Sequence, residues 1–408
     1  MFPRITNARG LDGPRVPRPD ELGAVTDLSN TVFCPDARTM GLEFPLLFSQ
    51  ENLRRLRIFS SGGRPVSLAG YVQHDLIVEG HRIPAASLGS VCTLPEYRGQ
   101  GLAAALVSDI LRELSRAGLA LLIISGDGEL YTRMGASAAG DFVRYELDPA
   151  MLPQKADAEA HRTVSVRPFR AGDLEQVHAV YRREPVRFSR TVGEFNALIW
   201  QHPGKERLHA QERLSVVSSD TLAGEEISAY IVTRARRGED GKFRVHIAEY
   251  AGTRSDVICA MGATARELRP SVMTLTVPAS DRDSIRALRD AGVSGSRGAL
   301  PRHTMVIPDV GSLIQALLPL VHERAGIQPH AASALLGNAS ERAGDARLYN
   351  PRLEGTEVPP ENMSFLTRLV FGHLTRQETD ALARNSELHA LAERAFPVPL
   401  PVPGLNYV

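Results

Sequence analysis

The chain is short of several things a specialised protein would carry. Its 408 residues hold only three cysteines, Cys34, Cys92 and Cys259, odd in number and far apart. That excludes a disulfide scaffold and points to a reducing compartment, so a cytoplasmic protein is expected. The cysteines and the twelve histidines show no ligand spacing, and no metal is expected. Charge of either sign is not in excess: Lys+Arg and Asp+Glu are both 47. Nothing global then argues for nucleic acid or a membrane surface as partner. No run approaches the ~20 apolar residues of a membrane span. The opening stretch MFPRITNARGLDGPRVPRPDEL has no apolar centre and does not read as a secretory signal. Trp200 is the only tryptophan and is expected in a core or a domain interface.

What is present is a globular composition, 43% hydrophobic and 23% charged, in a chain long enough for two to three domains. The stretch that organises it is Ser87 to Ala103, SLGSVCTLPEYRGQGLA. Leu88 to Leu94 reads as a strand, which Pro95 and Glu96 break. After Arg98-Gly99-Gln100-Gly101-Leu102-Ala103 an apolar helical period begins, with Leu106, Val107, Ile110, Leu111 and Leu114 on one face. Strand, glycine-rich turn, helix is an order that sets unpaired N–H groups at a helix N-terminus, where they hold a phosphate or pyrophosphate. Gly99 and Gly101 leave the backbone open to the anion, Ala104 continues the turn into the helix, and Arg98 adds a positive charge. The spacing fits neither the dinucleotide fingerprint nor a P-loop.

Arg-x-x-Gly-x-Ala in this context resembles the acetyl-CoA pyrophosphate loop of the GCN5-related N-acetyltransferases. The resemblance implies an α/β (α+β) fold with a mixed sheet flanked by helices. Backbone donors near Val91, Cys92 and Thr93 are then expected to splay and hold the pantetheine arm and thioester. Gly126 and Asp127, after the apolar strand Leu119 to Ile124, are expected to line the same coenzyme site.

Elsewhere the first half reads as an N-terminal arm over residues 1–19, a helix from Asp20 to Phe33 with Asp20 as N-cap, and a helix near Phe44 to Leu53. Strands are expected at Leu56 to Ser60 and Val66 to Gln73, with Asp75 to Ile83 as a connector or short strand. A last strand, Phe142 to Leu147, is expected to close the unit. After a polar linker from Pro153 to Arg162 the scheme restarts at Val164. It repeats helix, strands, helix, strand, helix through Ala291, which reads as an internal duplication. The matching turn, Ala251-Gly252-Thr253-Arg254-Ser255-Asp256, lacks the anion pattern, so no coenzyme is expected in the second half. From Arg302 the pattern changes to a short strand at Thr304 to Ile307 and helices near 311–324, 363–374 and 378–395. A tail follows with Pro397, Pro399, Pro401 and Pro403, expected to be polyproline-like.

An active unit, a degenerate second unit and a third region together resemble the enhanced intracellular survival (Eis) family of N-acetyltransferases. Domains are therefore expected over 1–150, 163–300 and 301–408, the last an α+β region like a sterol carrier protein. The resemblance implies a homo-oligomer, most simply a hexamer, and acetyl transfer to a primary amine of an aminoglycoside, polyamine or lysine side chain. It makes Tyr131, in Tyr131-Thr132-Arg133-Met134-Gly135, the general acid, and the Val408 carboxylate the general base.

Chemically, a phenol has a pKa near that of a thiol, so Tyr131 can protonate a departing thiolate. Cys92 has no histidine partner in sequence and reads as packing rather than as an acyl-carrying nucleophile. Asp36, Glu43 and His74 are candidates for the acceptor pocket and equally for ordinary surface groups. Two other readings stay open: a non-catalytic sensor or scaffold that binds acyl-CoA, and a lipid carrier built on the C-terminal region.

Overall fold

The computed structural model describes residues 10–152, 164–199, 206–207, 210–222, 224–342 and 360–407. In chain order the first half carries β1 (Leu11–Arg15), α1 (Leu22–Phe33), a short α2 (Met40–Glu43), β2 (Leu56–Ser61), β3 (Arg64–Val78) and β4 (His81–Thr93). Then come α3 (Leu102–Arg116), β5 (Leu121–Ile124), α4 (Glu129–Thr132) and β6 (Phe142–Leu147). The second half carries β7 (Ser165–Pro168), α5 (Leu174–Arg182), β8 (Val186–Phe188), α6 (Val192–Ile199), β9 (Glu206–Arg207), β10 (Ala210–Thr221) and β11 (Gly224–Arg237). It continues with β12 (Phe243–Gly252), α7 (Arg254–Leu268), β13 (Val272–Pro278), α8 (Arg282–Asp290) and β14 (Gly295–Gly298). Last are β15 (Thr304–Val306), α9 (Val310–Ala325), α10 (Pro329–Arg342), α11 (Pro360–Phe371), α12 (Arg376–Ala383) and α13 (Ser386–Ala395).

Two compact units result, each built on one mixed sheet flanked by helices. One runs to Gly140 and resumes over Ala299–Val398 and at Tyr407; the other holds Asp141–Gly298 and Pro399–Asn406. The first sheet has the order β1-β2-β3-β4-β5-β15, antiparallel throughout except for the parallel pair β4–β5. The second has the order β14-β6-β13-β12-β11-β10-β7, with β12–β13 as its parallel pair. Each sheet thus has an antiparallel meander, a parallel strand and an antiparallel strand next to it, with β14 one further strand in the second. In each, that antiparallel strand is supplied by chain lying outside the repeat.

This exchange corrects one expectation. Phe142 to Leu147 does not close the first sheet; it lies between β13 and β14, with Leu275 opposite Tyr145. Its place beside β5 is taken by β15, with Met305 opposite Ile123. The Leu-Leu-Ile-Ile of β5 is buried at every position, so both its faces are covered, as its unbroken apolar run predicts.

Other differences have local causes. Leu11–Arg15, expected in an arm, pair with β2. Asp20 is exposed and caps nothing. The acid at that helix start is Glu21, which accepts the Arg18 N–H at 2.7 Å and pairs with Arg15 at 2.8 Å. The helix expected from Phe44 is a run of turns, in which the Phe48 N–H still bonds to the Phe44 carbonyl at 3.0 Å. Asp75 to Ile83 belongs to a long β3–β4 hairpin that reverses at Glu79 and Gly80, both at positive φ. The helix expected over 378–395 is two helices, because Asn385 caps α13 by accepting the Leu388 N–H. Among the described residues after 301 the only strand is β15, which joins the first sheet; the rest is helices and an irregular tail. The expected α+β region therefore has no sheet of its own there. Trp200, residues 153–163 and residues 1–9 lie outside the described residues.

Candidate active site

The strand, turn and helix expected around Ser87 to Ala103 are present in the first unit. β4 ends at Thr93, a short 3-10 turn spans Pro95–Tyr97, and α3 opens at Leu102 with Gly101 as its N-cap. Gly99 and Gly101 have φ of +76° and +77°, a conformation that only glycine adopts without strain. A Cβ on either would meet nothing within 4 Å. These glycines thus serve backbone conformation and leave the face above them open. Ala105 is the first N–H of the helix to bond back, to the Gly101 carbonyl at 3.0 Å. The N–H groups of Leu102, Ala103 and Ala104 precede it and point out of the helix start. Arg98 is exposed beside them and Gln100 is half-buried. The Arg98 Nε is tied to the Thr93 carbonyl at 3.1 Å. Donors, dipole and charge here suit a pyrophosphate.

Next to this turn the sheet opens. β4 and β5 pair only from Ala85–Leu121 to Leu88–Ile124. Beyond Leu88, β4 keeps β3 alone as neighbour, and there it bulges. Leu68 faces Cys92 and Gly70 faces Gly89, so Ala69 stands opposite both Ser90 and Val91. Ser90 is held at φ +51°, with its hydroxyl 3.1 Å from that of Ser29. Val91, Cys92 and Thr93 all fall in this one-sided stretch. The Cys92 carbonyl accepts the Ser67 hydroxyl at 3.1 Å, and the Ser67 and Thr93 hydroxyls are 2.8 Å apart. The Cys92 side chain is buried, and burial pushes its thiol up to about 12. At neutral pH it is no thiolate, which argues against a role as acyl carrier.

Tyr131 stands on α4, at the exit of β5. Its ring rests on Gly126: a Cβ there would lie 2.8 Å from the ring Cε2. That close approach is the reason for a glycine at 126. Burial raises the Tyr131 phenol above its ordinary 10, so it is protonated and ready to donate. Asp127 is exposed in the loop between. The Gly126 carbonyl is held by the Thr304 hydroxyl of β15 at 2.7 Å. Ser364 on α11 holds the Gly135 carbonyl at 2.9 Å, bracing the chain that leaves Tyr131.

Of the acceptor-side candidates, Asp36 is exposed after α1, and Glu43 is buried and accepts from Thr39. His74 is half-buried on β3, with Nε2 3.4 Å from the Ser87 hydroxyl. They sit on separate elements. Val408 lies outside the described residues. Tyr407 packs on the core of the first unit, its ring centroid 6.5 Å from Phe44 and 5.8 Å from His303. Neither Thr304 nor His303 could be found from spacing, because only the pairing of β15 with β5 brings them to residue 126. Among the described residues no group of three or more His, Cys, Asp or Glu could hold a metal, and no helix is long and apolar enough to cross a membrane.

The equivalent place in the second unit is filled by the protein itself. α7 starts directly after Gly252 and Thr253. The Gly252 N–H donates to Glu184 at 2.8 Å, and Arg254 donates to the same carboxylate at 2.9 and 2.6 Å. Arg254 also meets Asp281, which accepts the Tyr250 hydroxyl at 2.7 Å. The Arg254 cation and the Gly252 N–H are thus turned to Glu184.

Residues 14–139 match the acetyltransferase (GNAT) domain family. Among solved structures the chain is similar to a GCN5-related N-acetyltransferase from Anabaena variabilis, at 16% identity over 75% of each chain and a TM-score of 0.55. One from Kribbella flavida matches at 17% identity over 75% of this chain and 73% of that one, with a TM-score of 0.53. Eis1 from Mycobacterium abscessus matches at 16% identity over 75% of each chain, with a TM-score of 0.52. At these identities the likeness is one of fold. No curated protein matches the chain in sequence.

Proposed function

We propose that the protein is an acetyl-CoA-dependent N-acetyltransferase that moves acetyl to a primary amine by direct attack in a ternary complex. The observation that carries this reading is one open anion turn beside a splayed strand pair, with a protonated tyrosine at the exit of β5. The GNAT match over residues 14–139 supports acyl transfer from an acyl-CoA in this unit. The turn from Arg98 to Ala104 would bind the pyrophosphate, and the bulged stretch from Ser90 to Thr93 would lie along the pantetheine arm. The co-substrate supplies the activated thioester. Tyr131 gives its proton to the sulfur as the thiolate leaves. The high thiol pKa of Cys92 favours direct attack over an acyl-cysteine route.

The test is thiol release from acetyl-CoA with spermidine, an aminoglycoside and a lysine-containing peptide. Tyr131→Phe should lower kcat by about 10²–10⁴-fold while calorimetry finds acetyl-CoA affinity unchanged. Wild-type protein that binds acetyl-CoA yet releases no thiol with any amine would leave the acyl-CoA-binding scaffold as the better reading.

A further inference from the structure

His303 precedes β15 in the first unit and plays no part in the reading above. Its Nδ1 lies 2.9 Å from the Pro301 carbonyl. A carbonyl only accepts, so Nδ1 carries the proton and Nε2 carries a lone pair. Nε2 is buried, and among the described residues no donor reaches it. Buried acceptors are rarely left so, and one that is asks for an explanation.

Its position supplies one. The next residue, Thr304, pairs with Ile124 in the sheet and holds the Gly126 carbonyl. Gly126 is the residue on which the Tyr131 ring rests. The His303 ring meets Tyr407 edge-on at 5.8 Å. An acid, Tyr131, and an oriented proton acceptor, His303, are therefore both fastened to the short segment that leaves β5. We infer that His303 is the general base of the transfer, its Nε2 taking a proton from the ammonium form of the acceptor. The inference rests on the acetyl-transfer reading and gives His303 the role that the family resemblance gives to the Val408 carboxylate.

The step balances. The ammonium loses one proton to Nε2, and the freed amine attacks the thioester carbon. The C–N bond forms and the C–S bond breaks. The sulfur takes the Tyr131 proton, and the phenolate recovers one from the nitrogen as it becomes an amide. The imidazolium then releases its proton to solvent, so the net reaction liberates one. Burial lowers His303 below its ordinary 6.5, which keeps it neutral at pH 7 with the Nε2 lone pair free. The titratable group that packs on its ring is Tyr407, and Arg302 is its neighbour in the chain.

The experiment is kcat against pH from 5 to 9, with saturating acetyl-CoA and whichever of the three amines above is turned over. The wild type should lose rate as pH falls through a value below 6.5. His303→Gln should lower kcat at least 100-fold, leave the KM for acetyl-CoA within threefold and abolish that acid limb. Added imidazole should partly restore His303→Ala. A kcat for His303→Gln within threefold of wild type, or no rescue of His303→Ala by imidazole, would overturn the assignment. Should the variants not fold, ¹⁵N NMR of the wild-type imidazole decides: the Nδ1–H tautomer titrating below 6.5 is required, and the Nε2–H tautomer refutes it. Absence of turnover by the wild type sinks the transfer reading as well, whereas failure confined to the variants sinks His303 alone.

Discussion

Replacing Glu249 by alanine should destabilise the second unit by about 3–5 kcal/mol, the usual result of stranding one member of a buried ion pair. Glu249 and Arg190 are both buried, with side-chain exposures of 8% and 1%. Arg190 donates to both carboxylate oxygens, at 2.9 and 2.8 Å. Its Nε donates to Asn406 at 2.6 Å, and its plane lies 4.3 Å from the Tyr181 ring centre. The Tyr230 hydroxyl and the Leu405 N–H also end on Glu249, at 2.8 and 3.1 Å. Alanine removes the acceptor from four donors at once, and each buried orphan costs about 1–3 kcal/mol, though not additively. Urea unfolding can be followed by Trp200, the sole tryptophan, which belongs to this unit's sequence. With a slope of about 1–3 kcal/mol per molar, the midpoint should fall by about 1 M or more. The double variant Arg190→Met, Glu249→Leu should lose less than the sum of the single changes, because no lone charge stays buried. pH adds a second reading. Burial alone would raise the Glu249 carboxyl, but the Arg190 charge and the bonds from Arg190, Leu405 and Tyr230 outweigh it and hold it below 4.5. A lowered folded pKa gives stability that is present above the unfolded value and lost as pH falls through the folded one. The gap between wild type and variant should therefore be full at pH 7 and narrow in acid. A loss under 1 kcal/mol at pH 7, or a gap that widens in acid, would refute the reasoning.

The other predictions concern the first unit. Calorimetry should find one acetyl-CoA per chain, because the turn before α7 lacks the glycine pattern and its Arg254 is paired with Glu184, and two equivalent sites would contradict this. Gly101→Asp should abolish that binding, since it forces a side chain into φ +77° and sets a carboxylate where the pyrophosphate belongs. Unchanged affinity would remove the turn from the site. Cys92→Ala should keep kcat within a few-fold and cost about 1 kcal/mol of stability as a small cavity; a loss of 100-fold would revive the acyl-cysteine route.

The strand, glycine turn and helix at Ser87 to Ala103 were legible in the sequence because everything they need lies within a few residues. Gly99 and Gly101 set the backbone, Pro95 and Glu96 end the strand, and the period from Leu102 to Leu114 opens the helix. The missing pattern at Ala251 to Asp256 was legible for the same reason, as was the burial of Leu121 to Ile124 on both faces. Sequence spacing carries no information about which distant strands pair. Phe142 to Leu147 reads equally well as the last strand of either sheet, and only the pairing with β13 and β14 decided it. That same exchange placed β15 beside β5, and so brought Thr304 to the Gly126 carbonyl and His303 to the exit of β5. Glu184 at the Gly252 N–H and Glu249 under Leu405 are ordinary acids in the sequence. What makes each matter is burial against one arginine and one backbone N–H, a long-range fact that only the tertiary structure holds.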